Sequence, residues 1–137
     1  MKNILKNYDI GILIIRLGIG IPFFFHGLPK LTGGVETWLK LGGKMSLFGI
    51  DFLPEFWGFA AAFAETFGGI FVALGIFWRF SNFILLSTMI VAVRYHLASG
   101  DGFGAISHAL EAGALFLGLL FISPGKYSLS NLVKIKK

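Results

Sequence analysis

Four apolar stretches, each close to twenty residues long, account for most of this chain. They lie at roughly 9–31, 54–77, 80–98 and 104–122. A helix rises about 1.5 Å per residue, so about 20 apolar residues cross a hydrocarbon core of ~30 Å. None of the four carries the charged outer stripe that a soluble helical bundle needs to face water. Charged residues make up only 14% of the 137 residues, against about a quarter in a soluble domain. The expectation is an all-α fold: one integral membrane domain, residues 1–137, built as a four-helix bundle. Asp9 is suited to cap the first helix, and Pro22 to kink it. Pro54 suits the first turn of the second helix, and Pro124-Gly125 stops the fourth. The first apolar run continues through Pro22 without a small-residue cleavage site, which reads as a span rather than a secretory leader.

The connections are short except for 32–53, which contains "GGVETWLKLGGKM". Val35, Trp38, Leu39 and Leu41 fall roughly on one side of a short helix bracketed by glycine pairs. This predicts an interfacial helix in the first outer loop, with Trp38 at headgroup level. The net charge of +5 does not argue for nucleic acid, because the basic residues sit at chain ends and in loops. Lys2, Lys6, Arg79, Lys126, Lys134, Lys136 and Lys137 share one side of a four-span topology, and Lys30, Lys40 and Lys44 the other. The positive-inside rule then predicts a multi-pass protein of the inner (cytoplasmic) membrane with both termini cytoplasmic. With no cysteine in the chain, disulfides and thiol or cysteine-ligated redox centres are excluded within it.

Against this apolar background, one ionisable residue stands in each span: Arg16, Glu65, Arg94 and Glu111. An unpaired charge at the bilayer centre costs at least ~2.5–3.5 kcal/mol, so such groups face the bundle interior and pair. Arg16, Gly20, Phe23, Gly27 and Lys30 recur at three- and four-residue steps. Ala61, Glu65 and Gly69 form an i, i+4 row, and small residues there let helices approach closely. Glu65 is eleven residues past Pro54, about 16 Å along the helix and near the midplane. Arg94 with Glu111 is the better matched pair by depth, with Glu65 meeting either arginine. Two readings stand side by side: a polar clasp that holds four helices in register, and a site for a polar head group or a proton path.

Three histidines gather in the outer half. His26 is one turn from Lys30, and His108 is three residues from Glu111. In the site reading, Glu65, Glu111 and His108 exchange protons as catalytic residues, and Arg16, His26, Lys30 and Arg94 bind the ligand. Phe23, Phe24, Phe25 and Trp57 are placed to flank a ring. A bis-histidine haem is disfavoured, because both histidines lie near the interface and nothing else marks a haem pocket. A carboxylate-bridged metal pair wants more deep carboxylates than the chain has. No metal site is expected.

Three motifs in order carry a family resemblance. "RLGIGIPFFFHGLPKL" (Arg16 to Leu31), "AETFGGIFVALGIFWRF" (Ala64 to Phe80) and "PGKYSLSNL" (Pro124 to Leu132) resemble the DoxX/DoxD family of small four-helix membrane proteins. The matching positions include Arg16, His26, Gly27, Lys30, Glu65, Gly68, Gly69, Gly75, Arg79, Tyr127 and Ser128. Asn131 departs from the pattern, where an acidic residue is common nearby. The resemblance implies a quinone-linked respiratory or redox role, as an oxidoreductase subunit or a redox-associated membrane component, without specifying a reaction. A quinone is the cofactor it points to, and membrane lipid, a partner redox subunit or a second copy are the partners. The alternatives are a non-catalytic accessory or lipid-binding subunit of a larger complex and, ranked last, a small transporter.

Overall fold

The computed structural model of the protein describes residues 2–135. The elements are α1 (Lys2–Thr32), α2 (Gly34–Gly42), a 3-10 helix (Gly43–Phe48), α3 (Pro54–Leu74), α4 (Trp78–Ser99), α5 (Phe103–Leu119) and α6 (Leu129–Ile135). Segments within α1, α3 and α4 are long and apolar enough to cross a membrane, and α5 is a shorter apolar helix of 17 residues. The outer surface of these helices is largely apolar: Ile14 is 65% exposed, Phe25 63%, Phe83 60% and Leu110 51%. A water-facing protein rarely exposes so much contiguous apolar surface. This is an all-helical membrane bundle whose outside is solvated by lipid tails.

The helices are held by two kinds of contact. The first is backbone against backbone between α1 and α3. A Cβ at Gly27 would run into the backbone and hydroxyl of Thr66, and one at Gly69 would come within 2.6 Å of the Phe24 amide nitrogen. Gly20 fits against Gly69 and Ala73 in the same way. In lipid, where there is little hydrophobic drive between helices, such close approach is what dispersion attraction requires. The second is a central aromatic and aliphatic core of Phe23, Val72, Leu85, Met89, Ala109, Ala112 and Phe116. Phe23 meets Phe116 edge-to-face at 4.9 Å, which joins α1 to α5 across the middle.

Helix ends differ from the sequence-based expectations for local reasons. α1 begins at Lys2, and Asp9 lies inside it rather than capping it. The Asp9 carboxylate instead accepts the backbone N–H of Lys126 at 2.9 Å. α3 ends at Leu74 because Gly75 turns into the left-handed region (φ 69°). Its neighbours close a Schellman motif: Ile76 N–H donates to Phe71 O and Gly75 N–H to Val72 O. Trp78, expected in the turn, is therefore the first residue of α4 and is buried. Its indole N–H donates to the carbonyls of Leu119 and Ile122 at 3.0 and 2.8 Å, so the end of α5 is tied to the start of α4.

The connection between α1 and α3 is more ordered than a surface anchor. A Cβ on Gly58 would collide with the Trp38 backbone, and one on Gly42 with that of Pro54. α2 therefore lies directly on the first turns of α3. Trp38 packs edge-on to Phe59 and donates its indole N–H to Lys30 O at 3.1 Å, satisfying a carbonyl in the last turn of α1. Val35 and Leu39 remain on the exposed side.

Candidate functional site

Beneath the 3-10 helix, a cavity of about 320 Å³ opens between α3 and α4. Its walls are mostly apolar: Leu41 and Met45 above, Ala60, Ala61 and Ala64 from α3, and Ile84, Val91 and Ala92 from α4. Alanines at three successive wall positions of α3 make the space, because larger side chains there would fill it. The polar groups on its lining are few: Lys30, Lys44, Trp57, Glu65, Ser87 and Thr88. This is the composition of a small-molecule site, apolar with a handful of placed polar groups.

Glu65 is 6% exposed, and Lys30 Nζ meets its Oε2 at 2.5 Å. The expected arginine partner is thus replaced by a lysine from the last turn of α1. The reason is geometric. Gly27 of α1 packs on Glu65 and Thr66, so α1 ends only about 7.5 Å above Glu65. The turns of α3 nearest Pro54 run alongside α2, and counting depth from Pro54 sets Glu65 deeper than its neighbours do. Trp57 lines the cavity, and its Nε1 is buried with no hydrogen-bond acceptor among the described residues. Ser87 and Thr88 turn their hydroxyl hydrogens to the carbonyls of Phe83 (2.9 Å) and Leu85 (2.8 Å). That leaves oxygen lone pairs to accept from a ligand. Lys44 lies over the Tyr95 ring at 3.9 Å. Burial first, and then the charge of Lys30, hold its ammonium below the usual lysine range, with Glu65 partly offsetting them.

Arg16 does something else. At 2% exposure it is the largest fully buried side chain described. It donates Nε to Val72 O at 3.2 Å, Nη2 to Ala73 O at 2.8 Å and Nη1 to Pro124 O at 2.9 Å. A cation on the last carbonyls of α3 meets the negative end of the helix dipole. Around it the tail folds back. Ser130 donates to Gly75 O at 2.6 Å, and Asn131 Nδ2 to Gly125 O at 2.8 Å. Ser128, fully buried, caps α6 by accepting the Asn131 N–H on Oγ. Tyr8 reaches Ser123 O at 2.7 Å. Arg16 is a clasp at the end of the bundle opposite the cavity, with its donors spent on backbone.

The remaining candidates are not brought to the cavity. Arg94 and Glu111 are exposed, and neither is found with a salt-bridge partner among the described residues. Arg94 lies instead on a second, apolar groove between α4 and α5. The pairing expected between them does not form, because both positions face outward from the bundle. His26 and His108 are brought together, with ring centroids 6.0 Å apart across α1 and α5, on the outer side of the Phe23–Phe116 contact. Both are exposed. His96 holds Asp101 at 2.7 Å across the α4–α5 turn. Of the aromatic residues expected to flank a ring, Phe23 is spent in the core and only Trp57 lines the cavity. No group of three or more metal-ligating side chains comes together among the described residues.

Comparison with known proteins bears on this arrangement, because Arg16, Lys30, the α3 glycines and Glu65 all fall in one matched stretch. A protein-family model described as DoxX matches residues 11–98. The chain belongs to the DoxX family. The match takes in the cavity and its cover, and stops before α5 and the tail. A relative in Bacillus subtilis (strain 168), named "Putative oxidoreductase CatD", is 34% identical over 88 residues, which is 64% of this chain and 60% of the relative. The chain thus spans about 60% of the length of that DoxX-type relative. No solved structure matches it. Within this DoxX-family chain, Lys44, Thr88 and the free indole N–H of Trp57 escaped the sequence reading. Lys44 carried a signal only as an outer-loop charge, since nothing in a glycine-flanked loop says that it folds down onto α3 and α4.

Proposed function

We propose that this DoxX-family protein is a redox-associated component of the cytoplasmic membrane that binds a quinone head in the Lys30–Glu65 cavity, with both termini cytoplasmic. One observation carries the reading. A buried carboxylate, hydrogen-bonded to a lysine, stands at the wall of an apolar cavity that also holds an unpartnered buried N–H. A quinone fits those groups: its ring suits walls of alanine, valine and isoleucine, and a ring oxygen accepts from Trp57. When bound, it supplies a carrier of two electrons and two protons. The chain's own residues orient the ring, exclude water through Leu41 and Met45, and present the Glu65 carboxylate, held by Lys30, as a proton acceptor. The electrons come from a partner redox subunit; the name of the relative, an oxidoreductase, supports the redox role.

The test is mass spectrometry of protein extracted in mild detergent, followed by thermal unfolding with and without a short-chain quinone. Quinone should co-purify and raise the melting temperature, and Glu65→Gln should weaken that protection. Absence of quinone together with no protection refutes the reading. A non-catalytic accessory subunit is the second reading, supported by the apolar groove between α4 and α5 lined by Leu86, Met89, Val93 and Leu117. It expects a stable partner to co-purify whether or not Glu65 is changed.

A further inference from the structure

The cavity's charges do not cancel. Lys30 and Glu65 neutralise one another at 2.5 Å. Lys44 adds a second cation to the same lining, close enough to sense both. Its company is the Tyr95 ring, which attracts a cation through its face but does not neutralise it. Among the described residues no second carboxylate lines the cavity. The outer rim adds Lys40, beside Lys44 in a neighbouring depression. Trp57 contributes a further donor with nothing to donate to. An unneutralised cation and an orphaned donor are both costly beside apolar walls, and both costs fall when an oxygen anion arrives.

We infer that the cavity takes its ligand as an anion: a singly charged oxyanion on a quinone-type ring (the phenolate of the reduced ring or the enolate of a hydroxyquinone), with Lys44 as its counter-ion and Trp57 as its hydrogen-bond donor. This rests on the reading of the cavity as a ligand site and narrows its chemistry. Its size supports a single charge on a ring or chain: about 320 Å³ is at the low end of the ~300–1,000 Å³ typical of small-molecule sites. One free cation balances one negative charge, and a doubly charged phosphate would remain in excess.

The test compares two probes that share a ring and differ in charge. At neutral pH, 2-hydroxy-1,4-naphthoquinone is ionised and 2-methyl-1,4-naphthoquinone is neutral. Each is titrated into the full chain in nanodiscs of phosphatidylcholine, with empty nanodiscs as the partition control, and saturable quenching of tryptophan fluorescence is read. The anion should bind at least roughly tenfold tighter, the value of one charge-assisted hydrogen bond. Lys44→Gln should abolish the preference and Lys44→Arg keep it, with circular dichroism confirming that both variants fold. Equal or tighter binding of the neutral probe overturns the inference and leaves the cavity a ligand site. A preference that survives Lys44→Gln overturns the assignment of the counter-ion. If neither probe saturates, the ligand-site reading falls as well.

Discussion

Replacing Arg16 with methionine separates the clasp from the cavity. Methionine keeps much of the volume and removes every donor. The carbonyls of Ala73 and Pro124 then lose their partner, while Val72 O keeps the Gly75 N–H. An unsatisfied buried acceptor costs about 1–3 kcal/mol. Two of them set an upper range near 2–6 kcal/mol, but removing the guanidinium also relieves its desolvation, which offsets part of that. The net expectation is a loss of about 2 kcal/mol. Arg16→Lys should fall between, because one ammonium cannot match a planar fork that reaches three acceptors. Reversible unfolding in mixed micelles measures the loss, and ligand binding by the folded fraction is measured alongside. The reasoning predicts lower stability with unchanged affinity at the cavity. Stability within about 0.5 kcal/mol of the parent refutes the clasp. Loss of affinity in folded Arg16→Met protein refutes its separation from the site.

Other expectations concern packing, capping and charge. Gly27→Leu should prevent α1 from seating on α3 and abolish the folded bundle in a micelle unfolding assay, since its first side-chain carbon already meets Thr66. Gly75→Ala should destabilise by about 1–2 kcal/mol, because a Cβ at φ 69° meets Ser128 and the Arg16 guanidinium. Trp78→Phe keeps the ring but frees the carbonyls of Leu119 and Ile122, and should lower stability by about 1 kcal/mol in the same assay. The depressed Lys44 ammonium gives a pH dependence. Between its folded value and the ordinary lysine value near ~10.4, the unfolded chain holds more protons, so stability should rise with pH across that window. Lys44→Gln should flatten the slope.

What could be read from residues alone divides along physical lines. Apolar length and scarcity of charge are properties of single segments, so the apolar helices, and the membrane around them, were legible. The small residues were also informative: Gly20, Gly27 and Gly69 mark where α1 and α3 touch. Which way a side chain faces depends on the neighbour, and there the pattern misled. Arg16, Glu65, Arg94 and Glu111 looked equivalent, one to a helix. Two are buried and two lie on the outer surface. A long arginine near a helix end can reach the headgroups, so its presence in an apolar run does not reveal its direction. Lys30 was counted as a charge at the membrane edge and became the partner of Glu65, because the offset between α1 and α3 is set by glycine contacts and not by loop length.

The folding back of the tail onto Arg16 has a consequence for the order in which the protein is made. Arg16 leaves the ribosome before α3, which supplies two of its acceptors. The third acceptor, Pro124, and the serine that covers Gly75 follow later still. Until then a buried cation and the last carbonyls of α3 are incompletely matched, and the end of the bundle around Arg16 stays open. The last of these contacts to form is therefore the docking of 123–131, which latches the helices before it only once it has been released. A ribosome stalled with that segment still in its exit tunnel would hold inserted but unlatched helices, accessible at that end to proteases that ignore the finished protein.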